Sequence, residues 1–587
     1  MLDTIIRGGS IIDGTGAAAR TGDVGIRDGI IVSVGEQITE AARDVIDADG
    51  AIVTPGFIDV HTHYDGQVFW DDKLDPSFSA GVTTVIGGNC GVGFAPLRNE
   101  YRRELIEMME GVEDIPGLVL AEGLDWNWRS FPDYLNRIDE RKFTMDVAFG
   151  IAHAPLRVFV MGDRALRHEP ATEEDIQQMA ALVREGMAAG ACGVSAGRIL
   201  EHRSSTGEMI PGTVTEEREL LEIARAMGAK GAGVFQIIPK GASGNNFGHG
   251  LSPEERLEEY QLMADIARAA GRPLTYVLLQ DSHDPDWFIE SAKLADKYSS
   301  EGAEIWPQVS ARQITLFAHL DNYHPFRLRP TYMKLHDLPR AEKARLMRDP
   351  DTKRAILSEE DVSIEQAATP AVYHIAKRYQ TMLDTLYAIE MPIDYEPDES
   401  KRLDHLAAKF GKSMIEYLYD HLVAGDGRQM AVQHVHNYAR GNLQDTYELL
   451  KRDRVISGLG DGGAHLGISC DAAMSSFQLS FWTRDRTRGP KMPLESIVRK
   501  ISADGAALYG LTDRGTLAPG KRADINVVDM KKISVDLPEL KFDLPEGGPR
   551  FVQASHGFVA TLVNGAVTRR FDEDCGARPG RLLRSGR

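Results

Sequence analysis

Between residues 56 and 514 the chain repeats one pattern, a short apolar run that ends on polar residues followed by a helical stretch. The runs end near His63, Asn89-Cys90, His153, Ser195, Gln236, Gln280, Gln308 and Asp461. Short, turn-bounded apolar runs read as buried strands. Several intervening stretches carry helix start and stop signals. "ATEEDIQQMAALVREGMAAG" offers Thr172 as N-cap, Asp175 three residues on, and Gly190 at the stop. "SPEERLEEYQLMADIARAAGRP" offers Ser252, Pro253 in the first turn, Glu255 closing a capping box, then Gly271 and Pro273. Parallel strands need crossovers, and eight strands alternating with helices predict an α/β fold, a (β/α)8 TIM-like barrel.

The two ends follow another rule. "TIIRGGSII", "DVGIRDGIIVSVG" and, near the C-terminus, "FVATLVNGAVTRRF" read as hairpins with Gly-Gly, Asp-Gly and Asn564-Gly565 turns. Neither end has enough strands to stand alone. Residues 1–55 and 515–587 are therefore expected to pair into one small β-sandwich domain beside a barrel at 56–514. The gap between strands seven and eight is too long for a loop. Its charged, partly helical stretch at 320–425 predicts a helical insertion over the barrel mouth, either a solvated subdomain or a substrate-gating lid.

Composition removes other classes. The chain has 587 residues, with 67 Lys plus Arg against 87 Asp plus Glu, a net charge of -20. That balance disfavours nucleic acid or an anionic membrane as partner and leaves a small-molecule substrate. The cysteines, Cys90, Cys192, Cys470 and Cys575, are too scattered for a disulfide framework. No apolar stretch is long enough to span a bilayer, and the N-terminus shows no secretory core. A cytoplasmic protein is expected; whether it forms a homo-oligomer stays open.

The first inner run, "TPGFIDVHTHYDGQ", places His61 and His63 two apart at a strand end, where both point the same way. Two imidazoles on one face can share an ion. A pair of hydrogen-bonded core histidines is the alternative, and the barrel decides between them, because its C-terminal strand ends carry chemistry. Cys90 follows His61 by 29 positions, about one βα repeat, and Asp461 in "VISGLGDGGAHLG" ends the last strand, next to the first once the ring closes. Two nitrogens, one sulfur and one oxygen suit zinc over iron or manganese.

With "GFIDVHTHYDGQ", "GVTTVIGGNCGVGFAP", "GLGDGGAHLG" and "DRGTLAPGKRADINVVD", the chain resembles the amidohydrolase superfamily, specifically its D-aminoacylase (N-acyl-D-amino-acid deacylase) branch. The resemblance runs from the N-terminal hairpins to about residue 570. It implies a metal-dependent hydrolase of C–N bonds other than peptide bonds, with one or two divalent ions. His61, His63 and Cys90 would be ligands, and Asp461 both ligand and catalytic carboxylate. That branch carries histidines at the ends of strands five and six, where this chain has Gln236 and Gln280. His153, His283, Gln236 and Gln280 are the groups nearest to replacing them, and the simplest expectation is a mononuclear site.

The expected reaction is hydrolysis of an N-acyl amino acid or a related carboxylate-bearing amide, with Asp461 as general base. Arg198, Arg203 and Arg312, near strand ends, are candidates for the substrate carboxylate. Two other readings remain. One is a hydantoinase-like cyclic amidohydrolase, for which strand four, "AGACGVSAG", lacks the usual lysine. The other is a non-catalytic barrel that binds a ligand.

Overall fold

The computed structural model describes residues 1–367, 369–381 and 385–586. Its terminal segments join edge to edge in one nine-stranded sheet. Strands Leu2–Ile11, Arg20–Arg27, Ile30–Gly35, Ala42–Asp47 and Ile52–Pro55 come from the N-terminus. Strands Ile525–Val528, Phe558–Val563, Ala566–Arg570 and Glu573–Asp574 come from the C-terminus. The seam is antiparallel, with Ile525 opposite Pro55 and Val528 opposite Ile52. Apolar residues on these strands, among them Ile6, Val24, Val53, Ile525 and Leu562, form a core shared by the two ends. Asn564 and Gly565 both hold positive φ (50° and 75°), the requirement of a two-residue turn that matches strand twist.

The central strands are parallel. One sheet orders Phe57–Asp59, Val82–Gly87 and Asp146–Phe149; another orders Ile151–Ala152, Gly193–Gly197, Val234–Ile238, Leu274–Val277, Ile305–Val309 and Ile456–Ser457. The sheets meet at both edges. Gly150 N donates to Gly87 O at 3.0 Å and Cys192 N to Phe149 O at 2.9 Å. At the other edge Thr62 bridges Gly462 in parallel. Helices Glu173–Ala189 and Pro253–Ala270 carry reciprocal capping boxes, Thr172 with Asp175 and Ser252 with Glu255. Their apolar faces pack into one large core with the strands.

Between Ile305–Val309 and Ile456–Ser457 lies a subdomain of mixed structure. Strands Ile314–His319, Leu386–Ala388 and Met430–His436 form an antiparallel sheet, with short helices packed on a separate apolar core. It starts earlier and ends later than 320–425, because its flanking strands pair with each other rather than with the parallel sheets. Among the described residues no helix is long and apolar enough to cross a membrane.

Candidate metal centre

The loops after the first and last parallel strands are tied backbone to backbone. Asp461 N donates to His61 O at 3.0 Å, and His63 N to Gly462 O at 2.7 Å. This zipper brings a residue 400 positions away in sequence (461 − 61) to the histidines. The loop carrying Cys90 is held across the strand ends: Cys90 N donates to Gln236 Oε1 at 2.9 Å, and Gly91 N to Ser195 Oγ at 3.0 Å. Gly91 must be glycine, since a Cβ there would lie 2.5 Å from Gly197 N. Cys90, Asp461 and His465 all sit in the left-handed region (φ 58°, 46° and 52°), strain that clusters where structure over-determines a functional position.

The side chains converge. Cys90 Sγ lies 3.2 Å from His61 Nε2 and 3.6 Å from His63 Nε2. Asp461 Oδ1 is 3.6 Å from His61 Nε2 and 3.9 Å from His63 Nε2. A tetrahedral ion with nitrogen at ~2.0 Å and sulfur at ~2.3 Å places its ligands ~3.3–3.6 Å apart, so His61, His63 and Cys90 fit one cation, with Asp461 at the edge of the cluster. Behind the rings stand Gln308, whose Oε1 accepts at 2.7 Å from His61 Nδ1, and the Glu113 carboxylate, whose Oε1 lies 3.3 Å from His63 Nδ1 without a hydrogen bond between them. The Gln308 bond holds Nδ1–H of His61 and turns its Nε2 toward an ion.

Electrostatics agrees with the geometry. Burial drives His61 down to about 4 and His63 well below the usual histidine range, so both rings are neutral. Burial pushes the Glu113 and Cys90 acids up, and their charged neighbours push further, all of them acidic: Asp461 and Asp65 on Glu113, and Glu113, Asp461 and Asp65 on Cys90. Burial also raises Asp461, followed by Asp471 and Asp59. A divalent cation is the charge this pocket lacks.

Residues 44–569 match the sequence model of the Amidohydrolase family. The chain belongs to the amidohydrolase family. The D-aminoacylase of Alcaligenes xylosoxydans xylosoxydans is 32% identical over 229 residues, 39% of this chain and 43% of that protein. The N-acyl-D-aspartate deacylase of the same organism is 24% identical over 594 residues, 100% of this chain and 95% of that protein. A solved D-aminoacylase, described as having a binuclear metal centre, superposes with TM-score 0.63 at 23% identity and covers 100% of both chains. This amidohydrolase is thus a hydrolase of carbon–nitrogen bonds other than peptide bonds, similar to the D-aminoacylase branch.

Other residues singled out in the sequence of this amidohydrolase lie elsewhere or are already engaged. His153 Nε2 bonds Glu219 Oε1 at 2.6 Å, and Glu219 also takes Arg157. His283 is 64% exposed and faces Asp281. Gln280 is saturated, donating to Asp445 and accepting from Ala439 N. Arg198 forks onto Glu259 at 2.7 and 3.1 Å. Arg203 donates to Leu200 O. Arg312 binds Asp471 and lines a cavity of about 900 Å3 beside the antiparallel subdomain. His434, not among those candidates, lines the same cavity, with its ring between Tyr387 and Tyr438.

Glu113 and His465 belong to the centre without having been singled out. Glu113 ends helix Arg102–Glu113, and its carboxylate also stands 3.9 Å from His465 Nε2. An acid at a helix C-terminus opposes the helix dipole, and that was the one available signal.

Proposed function

We propose that this amidohydrolase binds one divalent ion, zinc by ligand type, on His61, His63 and Cys90, and hydrolyses the amide of an N-acyl amino acid or a related carboxylate-bearing amide. The convergence of His61 Nε2, His63 Nε2, Cys90 Sγ and Asp461 Oδ1 on one ligand-sized space carries the reading. We read the eight parallel strands, counting the two pieces around Gly150 as one, as a (β/α)8 barrel with the centre at its C-terminal rim. In the same reading, 1–55 and 515–587 form the small β domain, and the insertion is a cover over the mouth. The relatives' deacylase names and the solved D-aminoacylase support the substrate class.

A bound cation supplies the Lewis acidity that lowers the pKa of an adjacent water and polarises the scissile carbonyl. Asp461 Oδ1 takes a proton from the attacking water and returns it to the departing nitrogen. The C–N bond breaks and a C–O bond forms. One water is consumed, and a carboxylic acid and an amine leave. Gln308 keeps the His61 imidazole in the tautomer that presents Nε2. Of the three arginines, Arg312 on the cavity wall is the one we assign to the substrate carboxylate.

A panel of N-acyl-D-amino acids, N-acyl-L-amino acids and cyclic imides tests this. Turnover of the acyl amino acids, abolished by Asp461→Asn, is the expected result. Turnover confined to cyclic imides would favour a hydantoinase-like enzyme, and metal-free, inactive protein would favour a binding protein.

A further inference from the structure

Gln236 is 2% exposed, and its two amide ends differ sharply. Oε1 accepts the Cys90 N–H at 2.9 Å, whereas Nε2 is buried without a hydrogen-bond partner. The orientation is forced. A flipped amide would set its NH2 against the Cys90 N–H, donor against donor. Buried donors are almost always satisfied, so an orphan at a site asks for a ligand. Amide oxygen and nitrogen lie ~2.3 Å apart, so Nε2 falls within roughly 5 Å of Cys90 N, inside the ring of strands. Gln236 reaches there from strand Val234–Ile238, across the interior from the strand that leads to Cys90.

Neither other glutamine at the strand ends is equivalent. Gln280 spends both amide ends on Asp445 and Ala439. Gln308 also has an unpartnered Nε2, but its amide stands behind His61, at Nδ1, away from the Nε2 that faces Cys90.

Resting on the hydrolase reading above, we propose that Gln236 is an oxyanion donor beside a single-cation centre. Its Oε1 tethers the Cys90 loop, its free N–H donates to the oxygen of the substrate carbonyl, and the centre works with a single cation. No proton is transferred by Gln236; the hydrogen bond tightens as charge gathers on that oxygen during attack. A solved D-aminoacylase is described with a binuclear centre that one metal activates and a second attenuates, and the ligand types clustered here among the described residues are those of His61, His63 and Cys90.

The test has two independent arms. Zinc-saturated protein, freed of excess metal by gel filtration, should carry one ion per chain by plasma mass spectrometry. Two ions would overturn the single-cation inference while leaving the hydrolase reading in place, and none would remove both. In the second arm, Gln236→Glu keeps an acceptor for the Cys90 N–H and deletes the donor. Its kcat should fall by roughly 100-fold or more, the size expected for one oxyanion donor, with KM within about threefold. Binding of a phosphonate mimic of the tetrahedral adduct, measured by calorimetry, should weaken by about the same factor. Gln236→Leu, which loses both ends, should lose zinc affinity as well. Near-unchanged kcat or phosphonate affinity in Gln236→Glu would overturn the donor role alone.

Discussion

Two buried polar clusters lie at opposite ends of the parallel strands, and they are built differently. At the start of strand Asp146–Phe149, the fully buried Asp146 carboxylate takes Arg514 at 2.7 Å and Arg522 at 3.1 Å; Arg522 also holds Asp524 at 3.1 Å. The chain supplies both signs there, and the cluster ties the strands to the terminal sheet. At the other end, Glu113, Asp461, Asp65, Asp59 and the Cys90 thiol crowd around two neutral histidines, and the charged neighbours that shift Glu113, Asp461 and Cys90 are acids. Buried charge completed by the chain is architecture. Buried acid left without a cation is a place to bind one.

Removing one side from each cluster should separate these roles. Asp461→Asn should lower kcat by ~10²–10⁴-fold with zinc retained, the range of a lost general base, seen in steady-state kinetics beside metal analysis. Asp146→Ala should leave zinc stoichiometry unchanged and destabilise the fold by about 3–5 kcal/mol in urea titration, because two arginines lose their buried partner. Glu113→Gln should weaken zinc about 10–100-fold in competition with a chelator, since the acid beside His63 is removed from a pocket whose charge a cation would balance. An unchanged zinc constant would detach Glu113 from the centre.

The smallest effect concerns pH. Burial raises the Asp524 carboxyl to about 6, and Asp146 adds to the rise while Arg514 and Arg522 oppose it. A raised acid binds its proton more tightly when folded than when unfolded. Its contribution to stability is therefore fully present below about pH 4 and is lost as pH rises from there through about 6. Asp524→Asn should flatten that part of a stability–pH curve, and an unaltered slope would assign it elsewhere.

The alternating centre, the hairpin ends and the His61–His63 pair were legible because each rests on local periodicity or turn chemistry: apolar runs of strand length, Thr172 and Ser252 capping boxes, the Asn564-Gly565 turn. Glu113 was not, since one glutamate among 87 Asp plus Glu carries no mark of burial. The arginines were harder to read for the same reason: a guanidinium reads alike in sequence whether it forks onto Glu259, as Arg198 does, or lines a cavity, as Arg312 does. The insertion's limits escaped because strands Ile314–His319 and Met430–His436 recognise each other across more than 100 residues.

By itself, then, the order of residues determined which segments become strands and helices and which side chains stand at the strand ends, because backbone preference and side-chain alternation act between near neighbours. Only the tertiary structure decided which of those groups meet. The backbone zipper from Asp461 to His61, the Gln236 tether on Cys90 and the acid behind His63 are contacts between distant segments, set by how the sheets close and pack.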